Sequence, residues 1–150
     1  MARIFNFSAG PSTLPVETLQ EAAEQLVDYQ GAGMSLIEMS HRGKHYDAVH
    51  NETISLTREL LNVPEKHHVL LLHGGATLQF AMIPMAYLQT GMTADYVVTG
   101  SWAKKAYADG KAVGTTAVAW DGKDENYTRI PAPKELSLTP GAAYVHVCSN

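Results

Sequence analysis

The amino-acid sequence predicts an α/β protein whose strands form an open, mainly parallel sheet. Two observations carry that expectation. Short apolar runs at 68–72, 94–99, 112–120 and 142–148 have the length of strands, and the first is continuous enough to be buried on both faces. Segments with helical periodicity precede the first run and separate it from the next two. Strands that alternate with helices build parallel sheets, because each crossover carries a covering helix.

Taken in order, Leu14-Pro15-Val16 opens the first helix, since proline fits a helical start where an amide would have no partner. Leu19, Ala22, Ala23, Leu26 and Val27 share one face, and the glycines of QGAGM at 30–34 close the helix. A second helix is expected from Tyr46 to Leu61, with Val49, Thr53, Leu56 and Leu60 on its inner stripe; Asn62-Val63-Pro64 stops it. His68 to Leu72 forms the first strand. A helix follows from about Thr77 to Leu88, with a bend expected at Pro84. Ala94 to Thr99 is the second strand, Ser101 caps a short helix to about Asp109, and Ala112 to Trp120 is the third strand. A polar loop with prolines spans 121–140, and Ala142 to Cys148 is the fourth strand. No internal repeat or low-complexity segment interrupts this order.

The division expected along the chain is an N-terminal segment, 1–43, and the first part of a larger sheet domain, 44–150. The N-terminal segment has no strand of its own, so it is expected to pack on a later part of the protein or on a partner subunit. The chain stops at Ser149-Asn150, just after a predicted central strand and without the crossover helix such a strand needs. The expectation is therefore the N-terminal part of a longer protein.

Composition narrows the functions available. With 150 residues and 45% hydrophobic content the chain can bury one core. Charged residues amount to 17%, the formal net charge is −4, and Lys and Arg are scattered, which argues against a nucleic-acid face or a polybasic membrane anchor. No apolar run approaches the roughly 20 residues of a membrane span, and MARIFNFSAG has no signal-peptide core, so a cytoplasmic location is expected. The sole cysteine, Cys148, has no intrachain partner for a disulfide; within AAYVHVCS it reads as a packing thiol.

Three stretches bear chemistry. In LLLHGGATLQF (70–80), a strand turns into a helix through Gly74-Gly75, the place where open α/β sheets bind ligands. The amides of Gly75, Ala76 and Thr77 would face outward at the positive end of the helix dipole, with the Thr77 hydroxyl beside them, which makes a phosphate cradle. The spacing matches neither the P-loop nor the dinucleotide fingerprint; the plain alternative is a turn that simply needs small residues. In MSHRGKHY (39–46), His41, Arg42, Lys44 and His45 gather cationic groups, and Arg is suited to bidentate capture of carboxylate or phosphate. A solvated basic turn is the alternative there. A metal pair at His41 and His45 is disfavoured, since no carboxylate or cysteine motif accompanies it. In TGSWAKKA (99–106), Trp102 follows a strand end, where its flat face could stack on a planar ring or pack in the core.

FNFSAGP (5–11), SHRGK (40–44), HGGATLQF (73–80) and ADYVVTGSWAKKA (94–106), in this order and spacing, resemble the phosphoserine aminotransferase family of class-V, fold-type-I enzymes dependent on pyridoxal 5'-phosphate. The resemblance runs over essentially the whole chain and implies the first part of that family's large, cofactor-binding domain. It implies that Gly75, Ala76 and Thr77 bind the cofactor phosphate and that Trp102 stacks on the pyridine ring. It also implies that Arg42 and His41 bind the acidic groups of the substrate, and that Ala9 lines the substrate pocket through its backbone. Some family members carry Arg where this chain has Thr77, so one potential anion contact of the family is absent here and its effect on substrate affinity is open.

The activity implied is reversible transamination of 3-phosphohydroxypyruvate with L-glutamate, giving O-phospho-L-serine and 2-oxoglutarate in serine biosynthesis. A phosphorylated hydroxythreonine of vitamin B6 synthesis is a second family substrate. A homodimer is implied, with the subunit served by Arg42 left open. The family's Schiff-base Lys is expected beyond Asn150; none of the seven lysines, at 44, 66, 104, 105, 111, 123 and 134, sits in its context. No catalytic residue is therefore assigned in this chain, and the isolated segment is expected to be inactive. Two other readings stand beside this one: another enzyme of the same fold, such as a small-amino-acid aminotransferase or a cysteine desulfurase, and a non-catalytic interaction fragment.

Overall fold

The computed structural model describes residues 3–149. The chain divides into two compact units, Met1–Leu70 and Leu71–Asn150.

In the first unit, helix α1 spans Val16–Gln25 and helix α2 spans Lys44–Leu60. Pro15 flanks α1 as its N-cap instead of entering the first turn, and its carbonyl accepts from the Leu19 amide at 3.3 Å. Beyond α1 the backbone is left-handed at Gln30, Gly31 and Gly33, which is why glycines punctuate this stretch. A single 3-10 turn, Leu36–Glu38, starts at the buried Ser35, whose hydroxyl and amide are engaged in a capping box with Glu38. The Tyr29 ring meets the edge of His45 on α2, 6.0 Å between centroids. α2 begins two residues before Tyr46, and the stripe expected to be internal is open: Leu56 and Leu60 are exposed and Val49 is half-buried. Its end is held by Arg58, which donates to the carbonyls of Pro64 and His67 at 3.3 and 2.6 Å.

The second unit carries the sheet. Strands β1 (Ala94–Val98), β2 (Thr116–Asp121) and β3 (Val145–His146) lie in the order β2-β1-β3, and both pairings are parallel. Every residue of the central strand β1 is buried, as expected of a strand covered on both faces. Helices α3 (Gly75–Tyr87) and α4 (Ser101–Val113) pack against each other, and α4 lies on β1 and β2. The core joins Ala94, Tyr96 and Val98 of β1 to Ala106 of α4, with Phe80, Leu88, Tyr107, Tyr127 and Tyr144 around it.

The α/β class and the parallel sheet agree with expectation; several boundaries do not. Residues 68–72 are not a strand. No neighbouring strand among the described residues offers them hydrogen bonds, and Leu70, Leu71 and Leu72 are 70%, 53% and 52% exposed. α3 begins at Gly75 and continues through the buried Pro84. Gly100, not Ser101, is the N-cap of α4, without a side-chain hydrogen bond. Ala112 and Val113 belong to the last turn of α4 instead of a strand; extended Gly114 ends the helix and β2 starts at Thr116. The fourth run shrinks to two paired residues, because only Asp95 and Tyr96 of β1 face it. Cys148 therefore lies outside the strand and is half-buried, not a fully packed thiol.

Two tethers fix the long connection before β3. Asp95, fully buried, accepts from the Thr139 amide at 2.6 Å and from its hydroxyl at 2.7 Å. Arg129 is held between Glu125 and Glu135, with Glu135 Oε1 2.8 Å away, and lies over the Trp120 ring at 5.5 Å.

Candidate functional site

The Gly-Gly turn owes its sequence to its backbone. Gly74 and Gly75 both have positive φ, +87° and +59°, and a Cβ on Gly74 would come within 2.5 Å of the Leu78 side chain. Two consecutive left-handed residues are a conformation that side chains resist, and here they aim the chain straight into α3. The first helical bond runs from the Leu78 amide to the Gly74 carbonyl, 3.2 Å. The amides of Gly75, Ala76 and Thr77 precede it, so they are donors without an acceptor among the described residues. No acidic side chain occupies the first turn, so nothing there offsets the positive end of the dipole. All three residues are exposed.

Trp102 stands in the first turn of α4, four residues past the end of β1, and its side chain is not consumed by the core: the residue is 51% exposed. The buried stripe of α4 is made instead by Ala103, Ala106 and Gly110. A Cβ on Gly114, which ends α4, would lie 2.8 Å from the side chain of Leu88, which ends α3. The C-terminal ends of these two packed thirteen-residue helices therefore adjoin. The N-terminus of α4 follows directly on the end of β1. The Gly75–Thr77 amides and the Trp102 indole thus belong to the first turns of two helices packed together in the second unit.

Ala9, His41 and Arg42 belong to the first unit. Ala9 sits in an exposed bend before the cis Gly10–Pro11 peptide. His41 and Arg42 occupy an exposed turn ahead of α2, in which the Ser40 hydroxyl accepts from the Arg42 amide at 3.2 Å and the Ser40 carbonyl from Gly43 at 2.8 Å. His41 precedes the helix, so it and His45 are not a pair on one helical face. Among the described residues no cluster of three potential metal ligands occurs. The four arginines separate clearly. Arg3 donates to the Leu14 carbonyl, Arg58 caps α2, and Arg129 is bound by two glutamates, whereas no described residue accepts from the Arg42 guanidinium.

Some interacting groups were not apparent from the sequence. Glu125 and Arg129 have the i, i+4 spacing of an ion pair, a signal present but unremarkable in a polar loop; Arg129 and the Ala132 amide hold the Glu135 carboxyl below its ordinary range. His146 stacks on Tyr96 at 5.2 Å and meets the Phe80 edge at 5.9 Å, and its burial lowers its pKa. Burial, followed by the hydrogen bond with Tyr144, raises the Tyr96 phenol well above its usual range. Of these groups Tyr96 belongs to the core, with Tyr144 packed against it.

The family model for class-V aminotransferases matches residues 4–150. The chain belongs to the class-V aminotransferases. Among proteins similar to this family member, the phosphoserine aminotransferase of Halalkalibacterium halodurans is 49% identical over 150 residues, all of this chain and 42% of that protein. The solved phosphoserine aminotransferase from Bacillus circulans subsp. alkalophilus superposes with a TM-score of 0.88 at 50% identity, covering 96% of this chain and 40% of that one. The phosphoserine aminotransferase of Trichomonas vaginalis, solved with pyridoxal phosphate bound, gives 0.85 at 38% identity, covering 95% of this chain and 40% of its own. This class-V chain thus spans about two fifths of the length of the relatives it matches.

Proposed function

We propose that this chain is the N-terminal part of a pyridoxal-phosphate-dependent phosphoserine aminotransferase. In this reading the whole protein transfers the amino group of L-glutamate to 3-phosphohydroxypyruvate, reversibly, giving O-phospho-L-serine and 2-oxoglutarate, and accepts 4-phosphohydroxythreonine as a second substrate. The observation that supports it is that the first turns of two packed helices carry, respectively, three unengaged amides and a half-exposed indole.

The residues fit the cofactor. Exposed donors at Gly75, Ala76 and Thr77, assisted by the Thr77 hydroxyl, suit a phosphate ester, and Trp102 offers a flat apolar surface to the attached ring. When bound, pyridoxal phosphate supplies the electron-withdrawing ring that transamination requires. In this reading the chain anchors the phosphate and covers one face of the ring. The unengaged guanidinium of Arg42, with His41 beside it, takes an acidic group of the substrate, and Ala9 contributes backbone only. No lysine of this chain is assigned the Schiff-base role.

The reading includes a cytoplasmic homodimer. Helix α3 is apolar on nearly all sides, GATLQFAMIPMAY, yet Met85 and Tyr87 are 70% and 65% exposed, and such a helix is normally covered.

Steady-state kinetics of the full-length protein test the assignment. Arg42→Ala should raise KM for the doubly acidic substrates by about 10–100-fold, the loss of a charge-assisted pair, with little change in affinity for pyridoxal phosphate. Preference for alanine or cysteine over glutamate in a substrate panel would refute it in favour of another enzyme of the fold.

A further inference from the structure

We propose that Lys105 is a positioning residue for Trp102: its ammonium caps one face of the indole and holds the ring so that the opposite face is presented to the cofactor. The inference rests on the reading of Trp102 as the stacking residue.

The geometry is local to one helix. Lys105 follows Trp102 by three residues on α4, a spacing that makes side chains neighbours, and long helical side chains lean toward the N-terminus, here over the turn that holds Trp102. Its Nζ lies over the indole, 5.8 Å from the ring centroid, inside the range in which a cation is attracted to an aromatic face. Ala103, Ala106 and Gly110 form the buried stripe of the helix, and Trp102, 51% exposed, lies off it. Lys105 is also uncommitted elsewhere: among the described residues the ion pairs are those of Arg129 with Glu125 and Glu135. The other indole, Trp120, lies under Arg129, but that guanidinium is already bound by two carboxyl groups. Trp102 is thus the indole whose cation has the ring as its partner. An exposed ring that must accept a planar cofactor on one face gains from being held on the other, because less rotamer freedom is lost on binding.

The test uses the full-length protein labelled with 5-fluorotryptophan, with the Trp102 resonance assigned by Trp102→Phe. Fluorine NMR of the cofactor-free protein is combined with titration by pyridoxal phosphate. Lys105→Met should shift or broaden the Trp102 signal and weaken cofactor binding about two- to five-fold, the change a cation–π contact at an exposed site produces. Lys105→Arg should restore both, and Lys104→Met should alter neither. An unmoved Trp102 signal in Lys105→Met, unchanged or tighter binding, or equal losses in the Met and Arg variants would overturn the proposal. Trp102→Ala binding as tightly as the parent overturns the stacking reading and the inference with it; a weakened Trp102→Ala beside an indifferent Lys105→Met overturns the inference alone.

Discussion

Gly110→Ala is the substitution for which helix propensity and packing disagree most sharply. In an exposed helix interior the change would stabilise by about 1 kcal/mol. At Gly110, buried on α4, the new Cβ would fall 2.1 Å from the Tyr96 hydroxyl and 2.7 Å from its Cζ. Tyr96 cannot swing away cheaply: it is 1% exposed, its hydroxyl lies 2.8 Å from that of Tyr144, and His146 stacks on its ring. Overpacking costs about 1–3 kcal/mol, and disturbing the hydroxyl pair adds about 1 kcal/mol. With the propensity gain subtracted, the variant should be less stable by about 1–3 kcal/mol. Urea unfolding followed by circular dichroism would show this as a lower midpoint with an unchanged slope. Tyr96→Phe removes the nearest atom, so the double variant should be more stable than the two single losses summed, by about 0.5 kcal/mol or more. A Gly110→Ala protein as stable as the parent would refute the packing argument.

Other expectations follow from the same coordinates. Asp95→Ala leaves two donors of Thr139 without their buried acceptor and should cost about 2–4 kcal/mol, with Asp95→Asn milder; equal urea midpoints for parent and Ala variant would contradict this. Gly74→Ala forces a left-handed φ on a residue whose Cβ meets Leu78, so binding of pyridoxal phosphate should weaken at least tenfold, measured by equilibrium titration, whereas unaltered binding would remove the turn from the site. Burial lowers the pKa of His146 in the folded state, so the unfolded chain takes up its proton first as pH falls. The stability this group contributes is complete above its ordinary value near 6.5 and is lost as pH drops toward the folded value. His146→Phe should therefore flatten the decline of the urea midpoint between pH 7 and 5, and an equally steep decline in that variant would count against the assignment.

How much of this was legible in the sequence depended on whether the signal was local. The helices around Ala22 and Thr53 are readable from a periodicity that lies within one element, and those around Phe80 and Ala106 from their place between apolar runs. The Gly-Gly turn is readable as a tight entry into a helix because two glycines there are a backbone requirement written into the residues themselves. The strand expected at 68–72 was not, because a strand exists only beside a neighbour, and Leu70 to Leu72 find none among the described residues. Ala112 and Val113 fall in an apolar run of strand length, yet α4, packed on β1, continues through Val113 and is capped by Gly114. At the candidate site, Ala76, Thr77 and Trp102 could be named from the chain alone. The freedom of Arg42 could not, since it emerges only when the other arginines are seen to be occupied. The links between Asp95 and Thr139 and between Tyr96 and Tyr144 join residues 44 and 48 positions apart, and nothing in either local stretch announces them.

The most direct test is a crystal structure of the full-length protein with pyridoxal phosphate bound. Phosphate oxygens should lie about 2.7–3.2 Å from the amides of Gly75, Ala76 and Thr77, with the pyridine ring flat against the Trp102 indole. A cofactor whose phosphate is held by other groups, with Trp102 turned away from the ring, would contradict the account.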